Sequence, residues 1–270
     1  MKFSGILILS LVLLSCGGFN KVMKSTDNEY KLRMAEQYFA KGKYLYAQQL
    51  YEVVMPFYRG TPEFENIYYK YAYTAYHQRD YFNAENLFKT FLEIYPNSDK
   101  AEEVDFMRGY TYFKQSPKPE LDQTNTIKAM GYMQTFINTH PGSPRNKEAM
   151  EIIEICRRKL ETKEFISAQL YYDISQFRAA AVSFNTLLNS YPDSEKADSY
   201  KMMAIKSYFR FAELSIDEKK VERFEQVIEE CREFLDRFPE SPHAKEVQNY
   251  ISQSQNILKL YTNEPVKTST

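Results

Sequence analysis

The residues that could carry out chemistry in this chain are few and widely separated. The three histidines, His77, His140 and His243, belong to different stretches of the sequence. Carboxylates such as Glu102 and Glu103 are adjacent, so on a helix they point to different sides and cannot form an acid-base pair. No metal-binding, nucleophile or phosphate-loop motif accompanies them. We therefore predict that the chain has no catalytic residues, no metal site and no cofactor.

One cysteine has a position that predicts a covalent modification. Lys2 precedes an apolar run over residues 6–14, and small residues follow it, among them Cys16. This pattern is typical of a secretory signal, and the run is too short to span a membrane. The segment 13–16 also resembles the lipobox of bacterial lipoproteins. That resemblance implies that residues 1–15 are a signal peptide and that Cys16 is lipidated, with a diacylglycerol and an N-acyl group such as palmitate.

The residues after Cys16 predict where the protein is anchored. The residue after Cys16 is Gly17 and not the aspartate that marks retention in the inner membrane, and no acidic run follows. We therefore expect a lipid anchor in the cell outer membrane, with the protein on its periplasmic face. Residues 16–28 show no periodicity and are predicted to form a flexible lipidated tether. We expect a helical repeat array over residues 29–261 and a disordered tail over residues 262–270.

The elements of that array are indicated by a repeated pattern that ends in proline. A small residue is followed by apolar residues at positions four, seven and eight, and then by an aromatic residue or histidine before the proline. The spacing describes one face of a helix, and the proline ends it because the preceding residue is pushed out of the helical region. The runs start at Ala84, Ala129, Ala180 and Val227 and end at Pro96, Pro141, Pro192 and Pro239, and a weaker copy runs from Ala47 to Arg59.

Serine follows each proline by two positions and is predicted to cap the next helix with its hydroxyl. The small residues allow two helix backbones to approach closely. The combination resembles the tetratricopeptide repeat, which has a period of about 34 residues. This resemblance implies an all-α fold, a right-handed superhelix of about five tetratricopeptide-like helical hairpins. The serines are Ser98, Ser143, Ser194 and Ser241.

Two features of the array concern its interior. Cys156 and Cys231 occupy apolar positions of the helical pattern, so we expect both to be buried. No glycine or proline lies between Ile155 and Phe177, which predicts a continuous or slightly kinked helix there.

The first two repeats are dense in tyrosine, and this predicts a binding surface. The tyrosines around position 70 cannot all face one way at 100° per residue, so some must remain exposed. In tetratricopeptide arrays the first helix of each hairpin lines a concave groove, and tyrosine offers a rigid apolar body with a polar tip. We therefore predict that Tyr69, Tyr73 and Tyr76 contribute to a groove for an extended peptide or a partner.

A family resemblance joins the lipoprotein signal to the repeats. The segments 95–98 and 106–109, the second of which contains Met107, Arg108 and Gly109, resemble a Met-Arg-Gly helix of the BamD family. These proteins are outer-membrane lipoproteins of the β-barrel assembly machinery. The insertion at 115–123 lies where that family has a variable loop. The resemblance covers roughly residues 16–260.

The resemblance implies a non-catalytic scaffold that works through its partners. The C-terminal repeats would dock on a periplasmic domain of the barrel-inserting, BamA-like subunit. The N-terminal repeats would meet unfolded outer-membrane proteins or their C-terminal peptides. Arg108 is the matched charged position, and it would either contact a partner or bridge adjacent helices.

Two alternatives of other classes stay open. One is a periplasmic tetratricopeptide adaptor in envelope maintenance. The other is a nutrient-capture lipoprotein paired with an outer-membrane transporter, although such proteins usually carry sugar-stacking tryptophans and this chain has none. The net charge of −1 argues against nucleic acid as a partner, because phosphate binding needs many uncompensated cations.

Overall fold

Helices make up all the regular structure in a computed structural model that describes residues 18–262. Within this range there is no strand, and the predicted all-α class is confirmed. The helices of the described range are α1 (18–23), α2 (Asn28–Ala40), α3 (Tyr44–Tyr58), α4 (Glu63–His77), α5 (Tyr81–Ile94), α6 (Ala101–Gln115), α7 (Thr124–Thr139), α8 (Asn146–Asp173), α9 (Phe177–Ser190), α10 (Ala197–Glu213), α11 (Asp217–Arg237) and α12 (Ala244–Thr262).

The chain forms two compact units, which divide within α8 after Arg157. In the first unit, each helix from α2 to α7 packs against the next one along the chain. In the second unit, α9 to α12 pack in the same consecutive way. The predicted helical hairpins are therefore confirmed in both units, and the handedness of a superhelix stays a prediction.

The proline-terminated helices end in one common backbone conformation. The residue before each proline has φ between −125° and −130° and ψ between 57° and 61°. Its amide still donates to the carbonyl four residues earlier, at 2.8–3.0 Å, so the proline stops the helix without loss of this bond. The repeated pattern thus predicts four helix ends correctly. They lie at Tyr95, His140, Tyr191 and Phe238.

The serine after each of these prolines joins consecutive hairpins. Its hydroxyl oxygen accepts the amide two residues later, at 3.0–3.2 Å, which satisfies a donor before the next helix as predicted. The hydroxyl also donates to a carboxylate on the first helix of the hairpin just completed, and we call this pair the serine clasp. The clasps are Ser98 with Glu65, Ser143 with Glu102, Ser194 with Glu161, and Ser241 with Asp198.

The small residues of the repeated pattern lie where helices come close. Ala84, Ala129 and Ala180 are fully buried. Ala84 shares a buried cluster with Phe88 on its own helix and with Ala72 on α4. A larger side chain at such a position would push two helices apart, at a cost of about 1–3 kcal/mol.

The segment predicted to be a flexible tether differs from that prediction from residue 18 onward. Residues 18–23 form α1, which buries Phe19 and Val22 in one cluster with side chains of α2 and α3. The centroid of the Phe19 ring lies 4.5 Å from that of Tyr46 and 5.8 Å from that of Tyr38. The tether is therefore wrong for this segment, because two apolar side chains one turn apart dock on the first hairpin.

Several predictions concern the ends of the chain. The predicted signal peptide over residues 1–15, Cys16 and residues 263–270 of the predicted tail lie outside the described residues and stay predictions. Thr262, the first residue of that tail, is instead the last residue of α12.

The long helix α8 continues without interruption from Asn146 to Asp173. This confirms the predicted continuous helix up to Asp173. The helix then ends at a turn in which Ser175 has a φ of 62°, the left-handed conformation that commonly terminates helices.

Both cysteines of the described range are buried, as predicted. Cys156 belongs to the cluster of the first unit, and Cys231 belongs to the cluster of α10 to α12. Burial raises the pKa of Cys231 to about 12, which keeps the thiol protonated and unreactive.

The insertion at 115–123 is organised by a buried glutamine. The side-chain amide of Gln123 donates to the carbonyls of Lys118, at 2.7 Å, and Leu121, at 3.0 Å. Its carbonyl oxygen accepts the hydroxyl of Thr126 at 2.6 Å. A single side chain therefore satisfies two backbone carbonyls of this loop and ties it to the start of α7.

Candidate binding surfaces

Three tyrosines of α4 lie along one face of the helix, since they are spaced by four and three residues. Tyr69, Tyr73 and Tyr76 are partly buried against the cluster of the first unit. The ring centroids of Tyr69 and Tyr73 are 4.8 Å apart, and those of Tyr73 and Tyr76 are 6.2 Å apart. We call these three residues the tyrosine row.

The tyrosine row meets α6 through a hydroxyl group and a carboxylate. The hydroxyl of Tyr73 donates to Oε1 of Glu103 at 2.6 Å, and Nη2 of Arg145 lies 3.8 Å from the same oxygen. Burial and the bond to Glu103 raise the pKa of Tyr73, so its hydroxyl remains a donor at neutral pH. Nζ of Lys100 lies 5.7 Å from the centre of the Tyr69 ring. The rings are therefore bordered by two cations.

His77 continues the row toward α2 and α3. Its imidazole stacks on the Tyr44 ring, with centroids 4.2 Å apart and planes inclined by 13°. Its centroid also lies 5.4 Å from that of Tyr76 and 6.2 Å from that of Phe39. Partial enclosure of the ring by these neighbours lowers the pKa of His77, although the residue as a whole is exposed, so the imidazole is neutral at pH 7. The sequence did not single out His77, because its stacking partner lies on another helix.

The structure thus brings the predicted groove residues together in one continuous aromatic surface. Tyr73 is held by Glu103 and is the most enclosed member, whereas His77 at the end of the row is exposed. Aromatic faces with neutral hydroxyl tips offer apolar contact and hydrogen bonds to an extended chain at a small cost in side-chain entropy. A role in peptide binding stays a prediction.

Arg108 faces away from the tyrosine row, toward α5 and α7. Its Nε donates to Oε1 of Glu85 at 2.8 Å, and its Nη2 donates to the hydroxyl of Tyr132 at 2.8 Å. Tyr132 in turn stacks on Tyr112, with centroids 5.1 Å apart. Burial acts to lower the pKa of Arg108, and the bond to Glu85 outweighs it, so the pKa is raised. These contacts correspond to the bridging alternative among the two predicted roles.

Gly109 explains why the residue after Arg108 is small. A Cβ added to Gly109 would lie 3.1 Å from Cβ of Tyr132 and 3.3 Å from Cε of Met133. α6 and α7 therefore approach more closely here than an alanine would allow. The Met-Arg-Gly segment thus combines a polar bridge with a close helix contact.

In the second unit, α8 presents an apolar stripe to solvent. Ile166 and Leu170 share one face of α8. Ile174 directly follows the helix and continues the four-residue spacing, because its amide still donates to the carbonyl of Leu170 at 3.0 Å. Leu170 is 58% exposed and Ile174 is 55% exposed. We call these three residues the α8 stripe, and exposed apolar surface of this kind is typical of a protein contact.

The second unit also contains a buried lysine that sequence reasoning missed. Nζ of Lys201 on α10 donates to Glu230 at 2.6 Å and to Glu233 at 2.7 Å, both on α11. Burial acts to lower the pKa of Lys201, and the bonds to the two carboxylates outweigh it, so the pKa is raised. The ammonium group is therefore charged and holds two helices together.

Between residues 18 and 262, no group of three or more His, Cys, Asp and Glu side chains has an arrangement that could hold a metal ion. In the same range, no helix is both long enough and apolar enough to cross a membrane.

Comparisons with known proteins give a family match and a related sequence. Residues 25–211 match the family model YfiO, described as an outer membrane lipoprotein. A curated relative from Aquifex aeolicus (strain VF5), a putative outer membrane protein assembly factor BamD, is 28% identical over 219 residues, which are 79% of this chain and 70% of the relative.

Two solved yeast structures are among the structural matches. The TPR2AB domain of Sti1 in complex with pHSP90 has a TM-score of 0.38 at 12% identity, over 84% of this chain and 98% of that chain. The histone chaperone Hif1 has a TM-score of 0.28 at 12% identity, over 92% and 98%. Because the family model spans well over half of the sequence, this chain belongs to the YfiO family of outer membrane lipoproteins.

Proposed function

We propose that the chain is a non-catalytic scaffold lipoprotein of the outer-membrane β-barrel assembly complex. The observation that carries this proposal is the family match over residues 25–211. The relative named as an outer membrane protein assembly factor supports assembly as the role. In this proposal, a lipid on Cys16 anchors the protein, and the repeats lie on the periplasmic face of the outer membrane.

The first unit contacts unfolded barrel proteins, or their C-terminal peptides, through the tyrosine row and His77. The support is chemical. An extended chain with aromatic side chains can stack on these rings, and a neutral imidazole adds no repulsion. Lys100 and Arg145 also lie beside the row, but each already meets a carboxylate, Glu65 at 3.2 Å and Glu103 at 3.8 Å, so the aromatic faces carry this proposal.

Substitutions at the open end of the row test this contact. We expect Tyr76→Ala and His77→Ala to weaken binding of a peptide with a C-terminal aromatic residue about tenfold, the usual effect of losing an aromatic anchor. Tyr73→Phe keeps the ring and removes only the bond to Glu103. Tyr171→Ala in the second unit is the matched control, since Tyr171 is also exposed. Fluorescence anisotropy measures all four. Unchanged affinity in both Tyr76→Ala and His77→Ala would exclude the row as the site.

The second unit docks a periplasmic domain of the barrel-inserting, BamA-like subunit through the α8 stripe. The exposed apolar side chains of Leu170 and Ile174 are its support. We expect the double variant Leu170→Ser, Ile174→Ser to lose co-purification with that subunit. The double variant Leu121→Ser, Ile127→Ser removes equally exposed apolar residues from the first unit and should retain it.

Co-purification from detergent-solubilised outer membrane separates this function from the alternatives. The proposal expects a barrel protein with repeated periplasmic domains among the bound partners. A nutrient transporter would instead indicate substrate capture. A partner linked to peptidoglycan would indicate an envelope adaptor.

A further inference from the structure

The chain between the proposed lipid site and the first hairpin is very short. α1 begins at residue 18, two residues after Cys16. Two extended residues span at most about 7 Å. This distance is small compared with the reach of a flexible tether over the whole of residues 16–28.

The segment between α1 and α2 is short and hydrogen bonded. The amide of Lys24 donates to the carbonyl of Asn20 at 3.1 Å, and the amide of Ser25 donates to the carbonyl of Val22 at 3.1 Å. The amide of Tyr30 then donates to the side chain of Asp27 at 2.9 Å. Because each turn of this segment is hydrogen bonded, α1 and α2 are connected without a free loop.

The apolar side chains of α1 also pack against the first hairpin, α2 and α3. Phe19 and Val22 are buried, and the rings of Phe19, Tyr38 and Tyr46 lie within 5.8 Å of one another. The first hairpin is therefore fixed to α1, and α1 is close to the anchor.

The outward face of α1 is basic. Lys21 on α1 and Lys24, the first residue after α1, are exposed and lie three residues apart. Because the amide of Lys24 still donates to the carbonyl of Asn20, the helical path continues and both lysines lie on one side of it. Together with Asn20 and Tyr30 they line one shallow surface depression. Two carboxylates follow at the start of α2, where Asp27 caps the helix and Glu29 lies 3.8 Å from Arg33.

We propose that the anchor holds the first hairpin directly on the bilayer surface, with Lys21 and Lys24 against phospholipid headgroups. The proposal rests on lipidation of Cys16, which is part of the proposed function. The occupant of this surface is the leaflet that contains the anchor. α1 thus acts as a docked spacer that fixes the height of the first unit above the membrane.

Quenching by headgroup-labelled lipids measures this height. The full lipidated protein is reconstituted in phosphatidylethanolamine and phosphatidylglycerol vesicles, and a fluorophore is placed at Lys24→Cys or at Lys128→Cys. The label at position 24 replaces one of the two lysines, so the short linker and Lys21 hold the height in that variant. Lys128 is the control, because it is exposed on α7, which has no residue in the cluster that holds α1. The labels are specific since Cys156 and Cys231 are buried. We expect strong quenching at position 24 and at least severalfold less at position 128.

Two changes should relieve the quenching at position 24. Insertion of about ten glycine and serine residues between positions 17 and 18 adds up to about 33 Å of chain and should reduce it severalfold. Lys21→Glu, read with the label still at position 24, should reduce it at least twofold, whereas Lys118→Glu, another exposed lysine of the first unit, should not.

The outcomes distinguish this inference from the anchor itself. A protein without acyl groups by intact mass, absent from the vesicle fraction, would refute both the anchor and the apposition. A lipidated, vesicle-bound protein with no quenching at position 24, or with quenching unaffected by the insertion, would refute the apposition alone.

Discussion

In each of the two units, one cation on the first helix of a hairpin forms an enclosed bridge to a neighbouring helix, but the two cations are compensated differently. In the first unit, Arg108 is 21% exposed and divides its donors between a carboxylate, Glu85, and a neutral phenol, Tyr132. In the second unit, Lys201 is 7% exposed and meets two carboxylates, Glu230 and Glu233. The guanidinium of Arg108 thus binds a carboxylate on α5 and a phenol on α7. The ammonium of Lys201 instead binds two carboxylates on one helix, α11.

The difference determines what is left behind when the cation is removed. Without Arg108, one enclosed carboxylate and one phenol would lose a partner. Without Lys201, two carboxylates would lose their shared cation, and the one on Glu230 is 14% exposed. We therefore expect the second unit to depend more strongly on its cation.

The largest effect is expected for Lys201→Ala. Breaking a buried pair by removing one partner costs about 3–5 kcal/mol in the free energy of unfolding. Urea denaturation gives the total loss, and hydrogen exchange measured on peptides of α10 and α11 locates it in the second unit.

Two control variants separate charge from volume and from surface effects. Lys201→Met retains most of the side-chain volume, so a loss that persists in it comes from the charge. Lys219→Ala removes an exposed pair with Glu222 and should cost at most about 1 kcal/mol. Equal losses for Lys201→Ala and Lys219→Ala would contradict the importance of burial.

A smaller effect is expected for Arg108→Lys. A lysine keeps the charge, but it lacks the planar guanidinium that donates to Glu85 and Tyr132 at the same time. We therefore expect a loss of about 1–3 kcal/mol in the free energy of unfolding. Arg33→Lys, in an exposed pair with Glu29, is the control and should be nearly neutral. We expect faster hydrogen exchange in α6 and α7 and an unchanged exchange rate in the second unit. A neutral Arg108→Lys would show that the bond to Tyr132 contributes nothing.

Gly109 on α6 and Gly131 on α7 test how closely these two helices of the first unit pack. Gly109→Ala places a Cβ 3.1 Å from that of Tyr132, so overpacking should exceed the gain in helix propensity and leave a net loss of about 1–2 kcal/mol. Gly131→Ala meets nothing within 4 Å and should stabilise the protein by about 0.5–1 kcal/mol. Thermal denaturation compares the two. The same sign for both variants would show that α6 and α7 can separate at no cost.

The features that the sequence predicted are those encoded within one helix or at its end. Ala84 and Tyr95 could be assigned because apolar spacing and a following proline are local signals. The serine clasp was only half predicted, since its carboxylate lies 33 to 43 residues away. Lys201 was missed because a lysine on a helix is normally solvated, and only the packing of α10 on α11 encloses it. The docking of Phe19 was missed because six residues are too few to show a period.

The smallest effect concerns the serine clasp, the device that both units share. Burial acts to raise the pKa of Asp198, and the hydroxyl of Ser241 with the amide of Ser199 outweighs it, so the pKa is lowered. A lowered carboxyl pKa stabilises the fold above the unfolded value of about 3.9, and this contribution is lost as the pH falls through the lower, folded value. Ser241→Ala should therefore cost about 1 kcal/mol at pH 7, and the difference from the parent protein should shrink below about pH 4.

Two further variants show whether the clasp acts alike in the two units. Ser98→Ala should behave like Ser241→Ala, because the hydroxyl of Ser98 is the main cause of the lowered pKa of Glu65. Ser252→Ala is the control, since that hydroxyl donates to the carbonyl of Gln248 and not to a carboxylate. Urea denaturation between pH 7 and pH 3 measures all of them. A pH-independent loss in both clasp variants would mean that the serines act only as helix caps and that the carboxylates do not join the hairpins.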